Sequence, residues 1–223
     1  IPHIIYLTMR RLIKFFILIS NPKYLIAKIK FFFSKNKFFG NEKFHNLRIL
    51  NTNSVLFSKK LKINYVQSIS NKKVIEIIKK INPEIIFVFG TTMISKNILD
   101  TIKCPVINQH AGWSPDYRGE GIVSSISKKD FKKIGITVHF LSEKSDAGNI
   151  IYQENIKIDK LDNFYSIHLK IIKKGTDLFE KVFIDFKEKN IKSNKQDLSL
   201  GKLYGKKFFK LNPGVYNLAW KNL

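Results

Sequence analysis

Cysteine, arginine and acidic residues are scarce in this chain, and each shortage excludes something. A lone cysteine, Cys104, rules out a disulfide framework, a multi-cysteine zinc site and an iron–sulfur cluster, and it fits a reducing cytosol. Long apolar runs are missing too. Leu12–Ile19 is interrupted by Lys14, and Tyr24–Phe33 by Lys28 and Lys30, so neither reaches the ~18 uninterrupted apolar residues of a spanning helix. Asn21-Pro22 separates the two stretches, and no small-residue cleavage pattern lies between Asn21 and Lys30. They read as helices covering a core, with contact to an anionic membrane surface as the less favoured alternative. Acids number 17 against 40 Lys and Arg, a formal charge of +23, which invites a nucleic-acid partner. Only Arg10, Arg11, Arg48 and Arg118 are arginines. The remaining positive charges are lysines among many Ile, Asn and Phe, the set that AT-rich codon usage over-supplies. Nucleic-acid readers draw on arginine for bidentate and stacking contacts, so no specific nucleic-acid site is expected.

What is present suffices for a core. With 223 residues, 44% of them hydrophobic and 13% aromatic, the chain is long enough for one packed domain and too apolar for general disorder. Residues 1–60 read as a helical and then irregular segment, 61–192 as the core, and 193–223 as a polar and then aromatic tail. From Ile63 short β-rich runs alternate with helical runs, the pattern of an α/β protein whose central sheet is mostly parallel and flanked by helices. Ile63–Val66 reads as a strand. Ser70 reads as the cap of a helix carrying Val74, Ile75, Ile77, Ile78 and Ile81 at the 3.6 period, ended by Pro83. The run Ile85–Phe89 reads as a central strand buried on both faces, followed by a turn at Gly90-Thr91-Thr92 and a short helix with Ile98 and Leu99. Pro105–His110 reads as a strand entering a loop from Ala111 to Gly121. Gly135–Leu141 alternates apolar Ile136, Val138 and Phe140 with Thr137 and His139, and Ile150–Ile158 returns beside it. Asp162 or Asn163 is expected to cap a long helix over about 163–189.

Open parallel sheets bind ligands beyond the carboxyl ends of their strands, which selects few positions here. Asn108 and His110 are two apart at a strand end and leave on the same face. Asp146 follows the next strand in a turn. An amide donor, an imidazole and a carboxylate at one sheet edge suit stabilisation of an oxyanion coupled to proton transfer, although the same types are equally satisfied by surface hydrogen bonds. Other constellations fail. Gly119-Glu120-Gly121 lacks the third glycine of a dinucleotide fingerprint, and there is no phosphate-binding loop or Gly-x-Ser-x-Gly elbow. The histidines stand at no metal-ligand spacing, so no metal is expected. Cys104 reads as a small buried hydrophobe.

The segment Asn108-Gln109-His110 with Ala111-Gly112-Trp113-Ser114-Pro115-Asp116-Tyr117-Arg118-Gly119 resembles the active-site segment of the folate-dependent formyltransferases. Gly135-Ile136-Thr137-Val138-His139-Phe140 and Ser145-Asp146-Ala147-Gly148-Asn149-Ile150-Ile151 are similar to that family's second signature, and the likeness runs from about Ile63 to Ile158. Within the family the chain looks most like the sugar-nucleotide N-formyltransferases. The resemblance implies a Rossmann-like fold and a cytoplasmic enzyme of surface-polysaccharide synthesis. It also implies a catalytic trio of Asn108, His110 and Asp146, with 10-formyltetrahydrofolate as co-substrate. The folate would lie against the turn Phe89, Gly90, Thr91, Thr92, Met93 and Ile94 and against the segment from Leu141 to Asp146. Thr137 and His139 match supporting positions, and His139 reads equally well as a structural histidine.

The family's usual Pro-Ser-Leu-Leu-Pro after the histidine is here Ala111-Gly112-Trp113-Ser114-Pro115, which changes the substrate-side loop. Trp113 stacks on a base or sugar or fills the underside of that loop. The family's opening strand is not visible before residue 12, so a truncated start is expected. About 65 residues follow Ile158, an expected mismatch to a tRNA-binding extension. The implied acceptor is a nucleotide-linked amino sugar, with a homodimer compatible. Phosphoribosylglycinamide or another amine, hydrolysis of the donor by water, and an inactive basic binding module remain as alternatives.

Overall fold

A computed structural model of the chain describes residues 64–212 and 214–223, and the segment expected over 1–60 lies outside them. Helix α1 spans Lys72–Ile81, strand β1 Ile86–Val88, helix α2 Lys96–Leu99 and strand β2 Val106–His110. Strand β3 (Tyr117–Gly119) leads into helix α3 (Gly121–Ser127), and β4 (Gly135–Phe140) and β5 (Ile150–Asn155) follow. The chain closes with helix α4 (Phe164–Lys187), strand β6 (Lys202–Tyr204) and helices α5 (Lys206–Leu211) and α6 (Val215–Asn222).

The main sheet of the described residues has the order β1-β2-β4-β5. Strands β1 and β2 are parallel, whereas β2–β4 and β4–β5 are antiparallel. A second, two-stranded sheet pairs β3 with β6 in parallel. In the β2–β4 register Asn108 lies opposite His139 and His110 opposite Thr137. Because side chains alternate across a strand, these four polar residues share one face. Ile107, Gln109, Ile136 and Val138 take the other.

That second face is covered by α4. Asn163 starts the helix with a reciprocal cap, accepting from Ser166 N while Ser166 Oγ accepts from Asn163 N. Its buried stripe of Ile167, Ile171, Leu178 and Val182 joins Ile107, Ile136 and Val138 in the core. Each such side chain contributes roughly 1.5–3 kcal/mol on burial. Gly175 is where helix and sheet come closest: a Cβ there would collide with Gln109 Oε1 and meet Ile136 Cδ1.

Several local expectations shift. Residues 64–66 form no regular element, and Tyr65 is exposed; among the described residues no strand pairs with them. Asn71, not Ser70, caps α1 by accepting from Lys73 N, and Asn82 in a left-handed conformation ends it before Pro83. Strand β1 is an edge strand among the described residues, with Val88 buried and Phe89 exposed beyond its end. The stretch from Ala111 to Gly121, read as a loop, contains β3 and opens into the wholly buried α3. Residues 193–223, read as a tail, supply β6 and place Tyr204, Phe209 and Ala219 in the core. Asn222 Nδ2 donates to the carbonyls of Ile126 and Ser127, closing the end of α3. Among the described residues no helix is long and apolar enough to cross a membrane.

Candidate active site

The end of β2, from Asn108 to His110, forms the floor of a cavity of about 540 Å³, with Thr137 and His139 of β4 fully buried beside it. Asn108 Nδ2 lies 3.2 Å from His139 Nε2, and His139 Nδ1 lies 2.8 Å from the Phe140 carbonyl. A carbonyl only accepts, so Nδ1 carries a proton, and Nε2 faces both the Asn108 amide and, at 3.7 Å, the Asp146 carboxylate. A bulge between Val138 and His139 in the β4–β5 ladder marks this position, a common device for re-aiming a side chain beside a site. The Asn108 amide is thus held by the neighbouring strand, and the residue remains part of the cavity lining.

His110 Nε2 donates to the Tyr117 carbonyl at 2.9 Å, and Nδ1 faces Asp146 Oδ2 at 3.5 Å. A Cβ at Gly112 would collide with His110 Nε2 and Tyr117 O, so the ring and the loop meet only because position 112 has no side chain. Burial pulls the His110 pKa below its ordinary value, against the upward pull of Asp146 and the Tyr117 carbonyl. The ring is therefore neutral at neutral pH.

Asp146 stands in the connection between β4 and β5. Its Oδ2 accepts from Gly119 N at 3.0 Å and its Oδ1 lies 3.7 Å from His139 Nε2. Burial alone would raise its pKa, but His139, His110 and the Gly119 amide outweigh that and bring it to about 2. Thr137 Oγ1 braces the loop beneath, donating to Gly112 O at 2.7 Å and accepting from Ser114 N at 3.1 Å and Gln153 Nε2 at 2.9 Å. The Ser114–Pro115 peptide is cis.

The structure brings together Asn108, His110 and Asp146, and adds His139 as a full member of the cluster. Of the residues expected to face the folate, Phe89, Gly90, Thr91 and Asp146 line the cavity, whereas Thr92, Met93, Ile94 and Leu141 do not. Met93 is tied to neighbouring segments, its carbonyl to Ser70 Oγ and its sulfur to Ser145 Oγ. Trp113 is half-buried against the core and does not line the cavity. Sequence reasoning missed Glu120, Phe164, Tyr165 and His168, which line the cavity with Asn108, His110 and Asp146. Three of them sit in the first turns of α4 at i, i+1 and i+4, a spacing legible as one helix face.

A family model described as formyl transferase matches residues 29–183. The methionyl-tRNA formyltransferase of Fusobacterium nucleatum is 30% identical over 141 residues, 63% of this chain and 46% of that protein. The chain therefore spans less than half of that relative's length. A 4-N formyltransferase from Francisella tularensis superposes with a TM-score of 0.55 at 24% identity, covering 67% of this chain and 64% of that one. The sugar 3N-formyl transferase WlaRD, solved in the presence of dTDP and 5-N-formyl-THF, superposes with a TM-score of 0.50 at 25% identity, covering 55% of this chain and 44% of that one. These superpositions bear out the expected α/β fold.

Proposed function

This chain belongs to the formyl transferase family, and on that premise we propose that it transfers a formyl group from 10-formyltetrahydrofolate to the primary amine of a nucleotide-linked amino sugar. The observation that carries the reading is the convergence of Asn108, His110, His139 and Asp146 at one end of a cavity of about 540 Å³. The folate supplies the activated formyl carbon. Phe89, Gly90 and Thr91 on the cavity wall are suited to hold it, joined in this reading by Thr92–Ile94 and the segment from Leu141 to Asp146.

Asn108 donates a hydrogen bond to the oxygen that gains charge as the amine adds to the formyl carbon. Its orientation is fixed beforehand by His139, so little reorganisation is needed when that charge develops. His110, neutral because it is buried, accepts a proton from the attacking amine and returns it to the folate nitrogen as the tetrahedral intermediate collapses, breaking the bond between that nitrogen and the formyl carbon and releasing tetrahydrofolate. Asp146 stays ionised and stabilises the imidazolium so formed. His110 has to turn from neutral to charged, so the acid limb of kcat/KM should fall below the ordinary histidine value of about 6.5.

The likeness to a sugar formyltransferase solved with dTDP supports a nucleotide-sugar acceptor. Glu120, Tyr165 and His168 offer the polar groups such an acceptor presents hydroxyls to. Sequence kinship to a methionyl-tRNA formyltransferase favours a second reading, an aminoacylated tRNA as acceptor. Tetrahydrofolate release should be measured with nucleotide-linked amino sugars, methionyl-tRNA, phosphoribosylglycinamide and no amine. Release stimulated by an amino sugar supports the proposal; release stimulated by methionyl-tRNA supports the second reading, and release without any amine indicates hydrolysis. Asn108→Ala and His110→Ala should each lower turnover by about 10²-fold or more, and full activity in both would sink the assigned roles.

A further inference from the structure

Asp146 adopts φ +51, in the left-handed region that residues other than glycine seldom occupy. Such a backbone holds where its surroundings over-determine it. Ser114 Oγ donates to the Asp146 carbonyl at 3.2 Å. Gln196 Nε2 reaches the same carbonyl at 3.2 Å and the Gly148 carbonyl at 2.5 Å. One amide nitrogen thus commits both of its N–H groups to the turn that presents the carboxylate.

Gln196 is buried and comes from the segment after α4, beyond the residues matched by the family model. Its placement is firm. Ile150 and Asn194 exchange two backbone hydrogen bonds of 2.8 Å, docking that segment on the start of β5. Asp197 then accepts from Ser199 N to begin a short 3-10 turn over Leu198–Leu200. Gln196 Oε1 is buried with no hydrogen-bond partner among the described residues. A residue serving only to fill space would not carry that penalty.

We infer that Gln196 is a positioning residue: by fixing the backbone at Asp146 it aims the carboxylate at the Gly119 amide and at the two histidines. This rests on the formyl-transfer reading, since only there does the aim of the carboxylate bear on a reaction. The groups that face Asp146 are Gly119 N at 3.0 Å after β3, His110 Nδ1 at 3.5 Å on β2 and His139 Nε2 at 3.7 Å on β4. Glu120 acts on His110 in the same upward direction as Asp146. A turn released from Gln196 lets the carboxylate swing away, and His110 then loses the larger of these two attractions and titrates at a lower pH.

The test compares the full chain with Gln196→Ala and with Gln196→Met, which keeps the length and the neutral charge but removes both donors. Turnover should fall about 10- to 100-fold, since misplacement of a catalytic group by about 1 Å has effects of that order, while the KM for 10-formyltetrahydrofolate should hold within about twofold. The His110 ring resonance, followed by NMR through a pH titration, should move its midpoint downward in both variants. If the alanine variant does not fold, the methionine variant decides alone. Wild-type turnover per folded molecule, or a turnover loss without the titration shift, would overturn the inference. The titration needs no turnover, so a wild-type chain inactive with every acceptor would refute the reading of the site while still deciding whether Gln196 aims Asp146.

Discussion

The two walls of the cavity are built to different standards. On the floor, Asn108, His110, His139 and Asp146 are each held by at least one defined hydrogen bond, and Thr137 beneath them engages three partners. On the other wall, Phe89 is 53% exposed, with Gly90 and Thr91 also exposed. The floor has its geometry before any ligand arrives, whereas the opposite wall has apolar surface left to cover. Groups that stabilise a transition state gain from rigidity. A wall that only binds can leave burial of its apolar surface to the ligand.

The sharpest way to break this contrast is Asp146→Asn. It keeps the shape but removes the charge that stabilises the His110 imidazolium, so kcat should fall about 10²- to 10³-fold. Because Asp146 pulls the His110 pKa upward, its loss should move the acid limb of kcat/KM to lower pH. Steady-state kinetics from pH 5 to 9 would show both.

Next in size is acid stability. The folded pKa of Asp146 lies at about 2, below the unfolded value of about 3.9, so its contribution is present above the unfolded value and lost as pH falls through the folded one. The buried His110, with its pKa lowered, acts in the same direction as pH falls below about 6.5. Chemical denaturation at pH 7 and pH 3 should show Asp146→Asn removing on the order of 1 kcal/mol of that difference.

Thr137→Val keeps volume but strands the Gly112 carbonyl and the Ser114 amide in a buried place, with an expected destabilisation of about 1–3 kcal/mol. Phe89→Ala should do least to the fold, within about 1 kcal/mol at a half-exposed position. Its effect should be a several-fold rise in folate KM with kcat nearly unchanged. A large kcat loss there would erase the difference between the walls.

Much of the floor was legible because its logic is local. Asn108 and His110 are two apart on a strand, and Thr137 and His139 repeat that spacing on the next, so a period of two puts each pair on one face. The helix α4 was legible from its apolar stripe and its cap. The pairing of β3 with β6 was not, because three residues are tied to partners some 85 positions away and nothing in either triplet specifies the other. Helix α3 escaped because GIVSSIS is buried all round, which removes the amphipathic period on which the reading depends. Gln196 was hidden for a third reason. A lone polar residue in a polar stretch looks the same whether it meets water or two backbone carbonyls.

Gly175 sets the gauge of the machine from behind. Its absent side chain lets α4 lie flush against Gln109, and Gln109 stands between Asn108 and His110 on the same strand. A single methyl group added there, on the other face of the sheet from Asn108 and His110, would force the Gln109 amide out of its place against the helix. Position 175 thus bears on the residue between Asn108 and His110 from the face opposite their side chains.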